Sequence, residues 1–240
     1  MKHTLLACAA LVALTAAGNA HPVESPQDPA IEPAFDITRV TATTDGRLVT
    51  FMMEVAGLAG SVTPEATGQL AGANAEAYVW PTSLDPAVVG FDAGSGILAL
   101  AITAHPDFDD TPLFDENGDG DPANDGAGWH SHWVVLVPDE ACGAGLKVRD
   151  VSPGQDLLPA TAPMLPIALD SPGMSPVIDG HVARITVPLA DGETAGFDGV
   201  TASLHVNDAG AAPLLCVSGV HDIASGDLSL PGVIMADDPH

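Results

Sequence analysis

The chemistry this chain can do is concentrated between Phe114 and Trp133, in the run FDENGDGDPANDGAGWHSHW. Its first half alternates acids and an amide around glycine: Asp115-Glu-Asn117-Gly-Asp119-Gly120-Asp121. Oxygen donors at alternate positions converge on a hard cation when a glycine permits the sharp turn, which is the way a calcium loop is built. The run begins as an EF-hand loop does and then departs from it. The twelfth position, where a bidentate Glu belongs, is Gly126, and the nearest acid is Asp125. The expectation is a structural calcium held by Asp115, Asn117, Asp119, Asp121 and Asp125, without flanking helices. The plain alternative is a solvated acidic turn. The upstream acids Asp107, Asp109 and Asp110 either add ligands to it or extend the solvated surface.

The second half places His130 two residues before His132, ahead of the apolar run Trp-Val-Val-Leu-Val. Residues i and i+2 of a strand share a face, so both imidazoles point the same way. Paired imidazoles suit copper or zinc, with further ligands drawn from another strand. His205, in Ser203-Leu-His-Val-Asn207, is the expected third ligand, and His105, just past another apolar run, can also approach. Trp129 and Trp133 bracket the pair. Core packing is their ordinary role, and an aromatic wall around a metal is the functional one. Adjacent Met52 and Met53 point to opposite faces of a strand, which favours packing over a copper(I) site.

The elements that must position these residues are short strands. The chain holds 25 glycines and 21 prolines in 240 residues, which interrupt helical periodicity almost everywhere. Apolar, β-branched runs at 37–43, 48–55, 77–80, 97–103, 132–137, 181–188, 200–206 and 214–217 read as strands separated by turns. The pattern fits an all-β fold, a single-domain β-sandwich over residues 36–240 with long loops and few helices. Residues 21–35 read as an extended, proline-rich N-terminal arm. Residues 152–176, with six prolines, read as a long loop, and 63–77 as a short Ala/Gly-rich helix.

Residues 1–20 have a basic start, a short apolar core and a Gly-Asn-Ala end, the form of a signal peptide cleaved after Ala20. The expected destination is outside the cytoplasm: periplasmic, cell-surface or extracellular. The apolar run is too short to span a bilayer, so no integral membrane protein is expected. Cleavage removes Cys8 and leaves Cys142 and Cys216, which in an oxidising compartment form a disulfide. A net charge of −26 excludes non-specific binding to nucleic acid and favours metal ions as partners. Cleavage would also make His21 the amino terminus, whose amine and imidazole can chelate copper together.

The Trp129-His130-Ser131-His132-Trp133 segment, the acidic loop and the leader together resemble the copper-repressible secreted copper-binding proteins of methanotrophs, the group of CorA and the MopE C-terminal domain. The resemblance covers about residues 105–140, with an echo near His205. It implies a β-rich exported protein that binds copper through two distant histidines, here His132 and His205, with calcium associated and an oxidised tryptophan as a further ligand. Trp129 is the nearest candidate for that oxidation. The chain departs from the family at this point, because the modified tryptophan stands two residues before the ligand histidine and that position is His130.

The sequence therefore reads as a secreted copper-binding protein for acquisition, storage or sequestration. It carries copper on His130, His132 and His205 and calcium at 115–125. No nucleophile–base ordering, H-E-x-x-H motif or phosphate loop marks an enzyme. The rivals are a calcium-stabilised adhesion or carbohydrate-binding module displaying Trp80, Trp129 and Trp133, an oxidase built on a His21 copper brace, and a zinc site using Asp139 or Glu140 as base.

Overall fold

The computed structural model describes residues 21–45, 47–152, 154–163, 165–189 and 195–234. The leader expected over 1–20 lies outside the described residues. In chain order the strands are β1 (Val23–Glu24), β2 (Ile37–Asp45), β3 (Leu48–Val55), β4 (Asn74–Pro81) and β5 (Ile97–Ala104). Then come β6 (His130–Pro138), β7 (Leu146–Val148), β8 (Leu169–Asp170), β9 (Val177–Asp179) and β10 (Val182–Pro188). The last four are β11 (Ala195–Phe197), β12 (Val200–Val206), β13 (Leu215–Ile223) and β14 (Gly232–Ile234).

The fold is all-β, and each of the eight runs read as strands forms one. One layer is a five-stranded sheet in the order β1-β2-β3-β10-β9. The second is not an open sheet. Its order is β5-β4-β12-β13-β7-β6-β8, and β5 also pairs with β6 from Ile97↔Leu136 to Thr103↔His130, which closes a six-stranded barrel. Register shifts in the β12–β13 pairing supply local bending of the kind that closure needs.

Alternation fixes which side chains face which core. In β3, Val49, Phe51, Met53 and Val55 are buried while their neighbours are not, so Met53 packs inward as expected. They meet Tyr78, Trp80, Leu98, Leu100, Trp133 and Val135 on the outer face of the barrel, and this forms the interlayer core. Each large side chain buried there contributes on the order of 2–3 kcal/mol. The opposite faces of the same barrel strands carry Ala75, Ala77, Ala101, Val134, Ala202 and Val217 into the lumen. Strand β6 is buried on both sides as a result, and so reads as a continuous apolar run rather than an alternating one.

The lumen is incompletely filled. A cavity of about 90 Å³ runs through it. Leaving such a volume empty costs on the order of 2 kcal/mol relative to a packed core.

The helix expected at 63–77 does not form. Gly68 and Gly72 adopt left-handed backbone (φ 84° and 81°), and the alanines after them fall every second residue, so the segment ends as β4. The described parts of the 152–176 segment are loop around the short strand β8, as expected. The arm at 21–35 runs along the five-stranded sheet, pairing Val23 with Val40 and burying Phe35. Cys142 and Cys216 form the expected disulfide. Among the described residues no helix is long and apolar enough to cross a membrane.

Candidate metal centre

His130 and His132 do share a face of β6, and that face looks into one end of the barrel lumen, where both side chains are buried. Strand β5 lies opposite, with Thr103 beside His130 and Ala101 beside His132. His105 follows β5 by one residue and falls on the same side as Thr103. Its amide donates to the Gly126 carbonyl (2.7 Å), so the loop joining β5 to β6 folds back over the end of the barrel. A turn in that loop, in which Asp109 accepts from the Thr111 amide (2.7 Å) and hydroxyl (2.8 Å), drives Asp110 inward until it is 3% exposed.

Four side chains thus meet: His105, Asp110, His130 and His132, with one ligand atom of each within 4.8 Å of all the others. Asp110 Oδ1 stands 3.4 Å from His105 Nε2, 3.4 Å from His130 Nε2 and 3.6 Å from His132 Nε2. Ligands 2.0–2.1 Å from a tetrahedral ion are separated from one another by about 3.3–3.4 Å, so these spacings fit such an ion. The Nε2 atoms of His105 and His130 are closer, at 2.7 Å.

The outer nitrogens decide what the inner ones can do. His105 Nδ1 is 2.8 Å from the Phe108 carbonyl and His130 Nδ1 is 2.8 Å from the Gly128 carbonyl. A carbonyl only accepts, so each Nδ1 carries the proton and each Nε2 turns a lone pair inward. His132 Nδ1 is held 3.1 Å from Ser171 Oγ. Two facing lone pairs at 2.7 Å repel unless a cation lies between them. Asp110 Oδ1 and His132 Nε2 are also buried without a hydrogen-bond partner. Buried orphans of this kind are rare without a reason, and a bound cation is one. Outer hydrogen bonds that fix tautomer and ring plane are the usual support of metal-ligating histidines. Phe108 stacks on His105 with ring centres 4.1 Å apart, which fixes its plane further.

The electrostatics agree. Burial pushes the Asp110 carboxyl upward, but the facing histidines outweigh it and hold it well below its ordinary range. Burial drives His132 down to about 3. Burial also lowers His130, yet the Asp110 carboxylate facing it, with the Gly128 carbonyl and Glu116 adding to the effect, leaves it raised overall. The centre is an ionised carboxylate facing imidazoles, one of which draws a proton into the place a metal ion would take.

Glu116, half-buried nearby, is pushed up to about 7 by burial, with Asp125, Asp110 and Asp109 adding to the effect and His130 opposing it. A carboxyl raised in the folded state binds more protons than in the unfolded chain, so stability falls as pH rises from about 4.5 to 7. Glu116→Gln is therefore expected to stabilise the chelator-treated protein by about 1 kcal/mol at pH 8, after discounting for its exposure, and by nothing at pH 4. Urea unfolding at the two pH values reads the difference directly.

Gly126 makes the loop's return possible. A Cβ there would stand 2.0 Å from the Phe108 carbonyl oxygen and 2.8 Å from that of His105. Gly126→Ala is expected to destabilise by about 1–3 kcal/mol and to displace His105 from the cluster. A thermal melt checks the first effect, and metal titration checks the second.

The structure does not bring His205 to this centre. Its position on β12 alternates with the lumen-facing Leu204 and Val206, so its imidazole lies outside the barrel, 2.9 Å from Asn74 Oδ1 and 3.3 Å from Asp208 Oδ1. His105 and Asp110 complete the group instead. His21 is exposed and bridges Val233 through its backbone, and His221 bonds Glu76 (2.9 Å). Trp80 and Trp133 are buried in the interlayer core, and Trp129 donates to the Gly60 carbonyl (3.0 Å) while packing on Tyr78, so none is an open platform.

In the acidic loop, Asp115, Asn117, Asp119 and Asp121 remain at the surface and spend oxygens on backbone amides. Asp115 accepts from Gly118 (2.6 Å) and Gly120 (2.8 Å), Asn117 from Asp119 (2.8 Å), Asp119 from Asp121 (2.8 Å), and Asp121 from Ala123 (3.1 Å). Asp125 turns inward and accepts from Glu116 (2.8 Å) and Asn117 (3.1 Å). Among the described residues these acids form no second cluster at ligand spacing.

A cavity of about 160 Å³, lined by Thr111, Leu113, Thr161 and Pro163, reaches Asp110 from the side away from the lumen. Comparison with protein-family models, curated proteins and solved structures finds no match to this chain, so the reading of the site rests on its own geometry.

Proposed function

We infer that this chain is an exported copper-binding protein that acquires, stores or sequesters the ion. One observation carries the reading: three histidines and one carboxylate converge in a buried site, with His105 and His130 fixed by their outer carbonyl contacts to turn Nε2 lone pairs inward. For nitrogen and oxygen donors copper(II) binds most tightly among the divalent first-row metals. The Trp-His-Ser-His-Trp resemblance supports the same choice. All four positions around the ion are supplied by the protein, which suits holding more than turnover, since a catalytic ion keeps a position open.

Zinc is the second reading, favoured by the near-tetrahedral spacing about Asp110. Calcium on the acidic loop belongs to the proposal as a stabilising ion. Each carboxylate there keeps lone pairs beyond those holding the amides, and added calcium raising the melting temperature would support it.

Elemental mass spectrometry of the purified protein, beside His130→Ala/His132→Ala, tests the reading. Near-stoichiometric copper lost in the double variant supports it, and zinc in its place selects the second reading. Calcium alone, unchanged by the substitutions, sinks both and leaves a calcium-stabilised recognition module.

A further inference from the structure

The barrel lumen holds a feature that metal binding does not require. Three neighbouring strands, β5, β4 and β12, line it with Ala101, Ala75, Ala77 and Ala202. In the other layer the inward positions of β3 carry Val49, Phe51, Met53 and Val55, and alanine occurs there only singly on a strand, as Ala42 in β2 and Ala183 in β10. Larger residues at these four positions would fill the space. The remaining wall is Val, Leu and Ile with Pro81 and Phe108, and among the described residues its polar side chains, Thr103, His105, Asp110 and His132, all lie at the metal end.

The opposite end shows a second, independent oddity. Leu228 and Leu230 adopt left-handed backbone, φ 58° and 53°, a conformation that costs an L-residue with a branched side chain on the order of 1–3 kcal/mol. Leu228 lines the lumen and is also 37% exposed to solvent. With Leu230 it lines an outer cavity of about 310 Å³ that shares Pro81, Leu136 and Leu146 with the lumen. An exposed leucine held in a strained conformation across the mouth of an apolar chamber is a stopper.

We propose that the lumen is a binding chamber for a small uncharged apolar molecule, entered at the turn 226–231. Apolar cavities stay dry, and one of about 150 Å³ takes benzene or xenon. The 90 Å³ here therefore admits a guest of xenon size, or a hydrocarbon of about three or four heavy atoms. Beyond the metal end, a polar or charged guest finds no side-chain partner along the walls. The chamber does not depend on which ion the four-residue centre holds, or on whether it holds one.

Methyl NMR of alanine-labelled protein under xenon pressure tests this. The expected result is saturable shifts at Ala75, Ala77, Ala101 and Ala202, with Ala42 and Ala183, buried in the other layer, unmoved. Ala101→Leu should abolish the shifts at the other three, and Ala202→Val serves the same purpose if that variant does not fold. Leu228→Gly, which relieves the strain and opens the mouth, should speed xenon exchange several-fold. Equal shifts at Ala42 and Ala183, no saturation, or shifts that persist in the filled variants would overturn the proposal. Chelator-treated protein that keeps the xenon shifts shows the chamber standing without the ion, so a failure of the metal reading is separable from a failure of this one.

Discussion

Asp110→Asn is expected to weaken transition-metal binding by about 100- to 1,000-fold while preserving the fold. The carboxylate is the only anion among four converging ligands, and it lies almost entirely out of water. Removing one partner from a buried, charge-coupled group costs about 3–5 kcal/mol, and each 1.4 kcal/mol is a factor of ten in affinity. Asparagine keeps the shape and loses the charge, so the metal-free variant should keep the circular dichroism spectrum of the parent. Competition against a chromophoric chelator measures the affinity. His205→Ala is the matched control, since that imidazole sits outside the barrel and should leave binding unchanged. An Asp110→Asn variant that binds as the parent does would remove the carboxylate from the centre.

The second large effect concerns the seam between β7 and β13. Those strands pair at a single register position, Cys216↔Lys147, while their barrel neighbours pair over several residues. The disulfide joins Cys142 to Cys216 at that same place, across 74 residues. Closing a loop of that length removes denatured-state entropy worth about 4 kcal/mol. Cys142→Ser/Cys216→Ser should therefore lower unfolding stability by about 4 kcal/mol and the melting temperature by roughly 8–16 °C. Hydrogen exchange should rise first at 144–148 and 214–218. A loss under 1 kcal/mol would show that packing alone closes the barrel.

How much of this was legible in the sequence follows from what sets each feature. Strand identity was readable because β-branched runs between turn residues leave little choice, as in Leu48–Val55. The barrel was not, because closure depends on β5 meeting β6, and no local pattern reports a pairing of that kind. At the centre, His130 and His132 were readable from period-two alternation, and His105 from its place just after β5. His205 failed for the same reason the pair succeeded: alternation decides faces within a strand but does not say which face of a distant strand turns inward. Asp110 was hidden among Asp107 and Asp109, since only the Asp109–Thr111 turn selects the one that faces inward. The five-residue gap from His105 to Asp110 was the signal available. The acidic loop had a calcium spelling, yet asparagine and aspartate next to glycine equally spell turns that cap their own amides.

The loop between β5 and β6 has a kinetic consequence. It supplies His105 and Asp110 at its start, and it ends at His130 and His132, so an ion held here fastens the two ends of the segment that covers it. Departure then requires that segment to lift, carrying two of the four donors with it. The residence time of the ion becomes a property of loop opening, and tight binding would come with slow release. A recipient would obtain the metal quickly only by prising at the Asp110 side, where the surface already opens between Leu113 and Pro163.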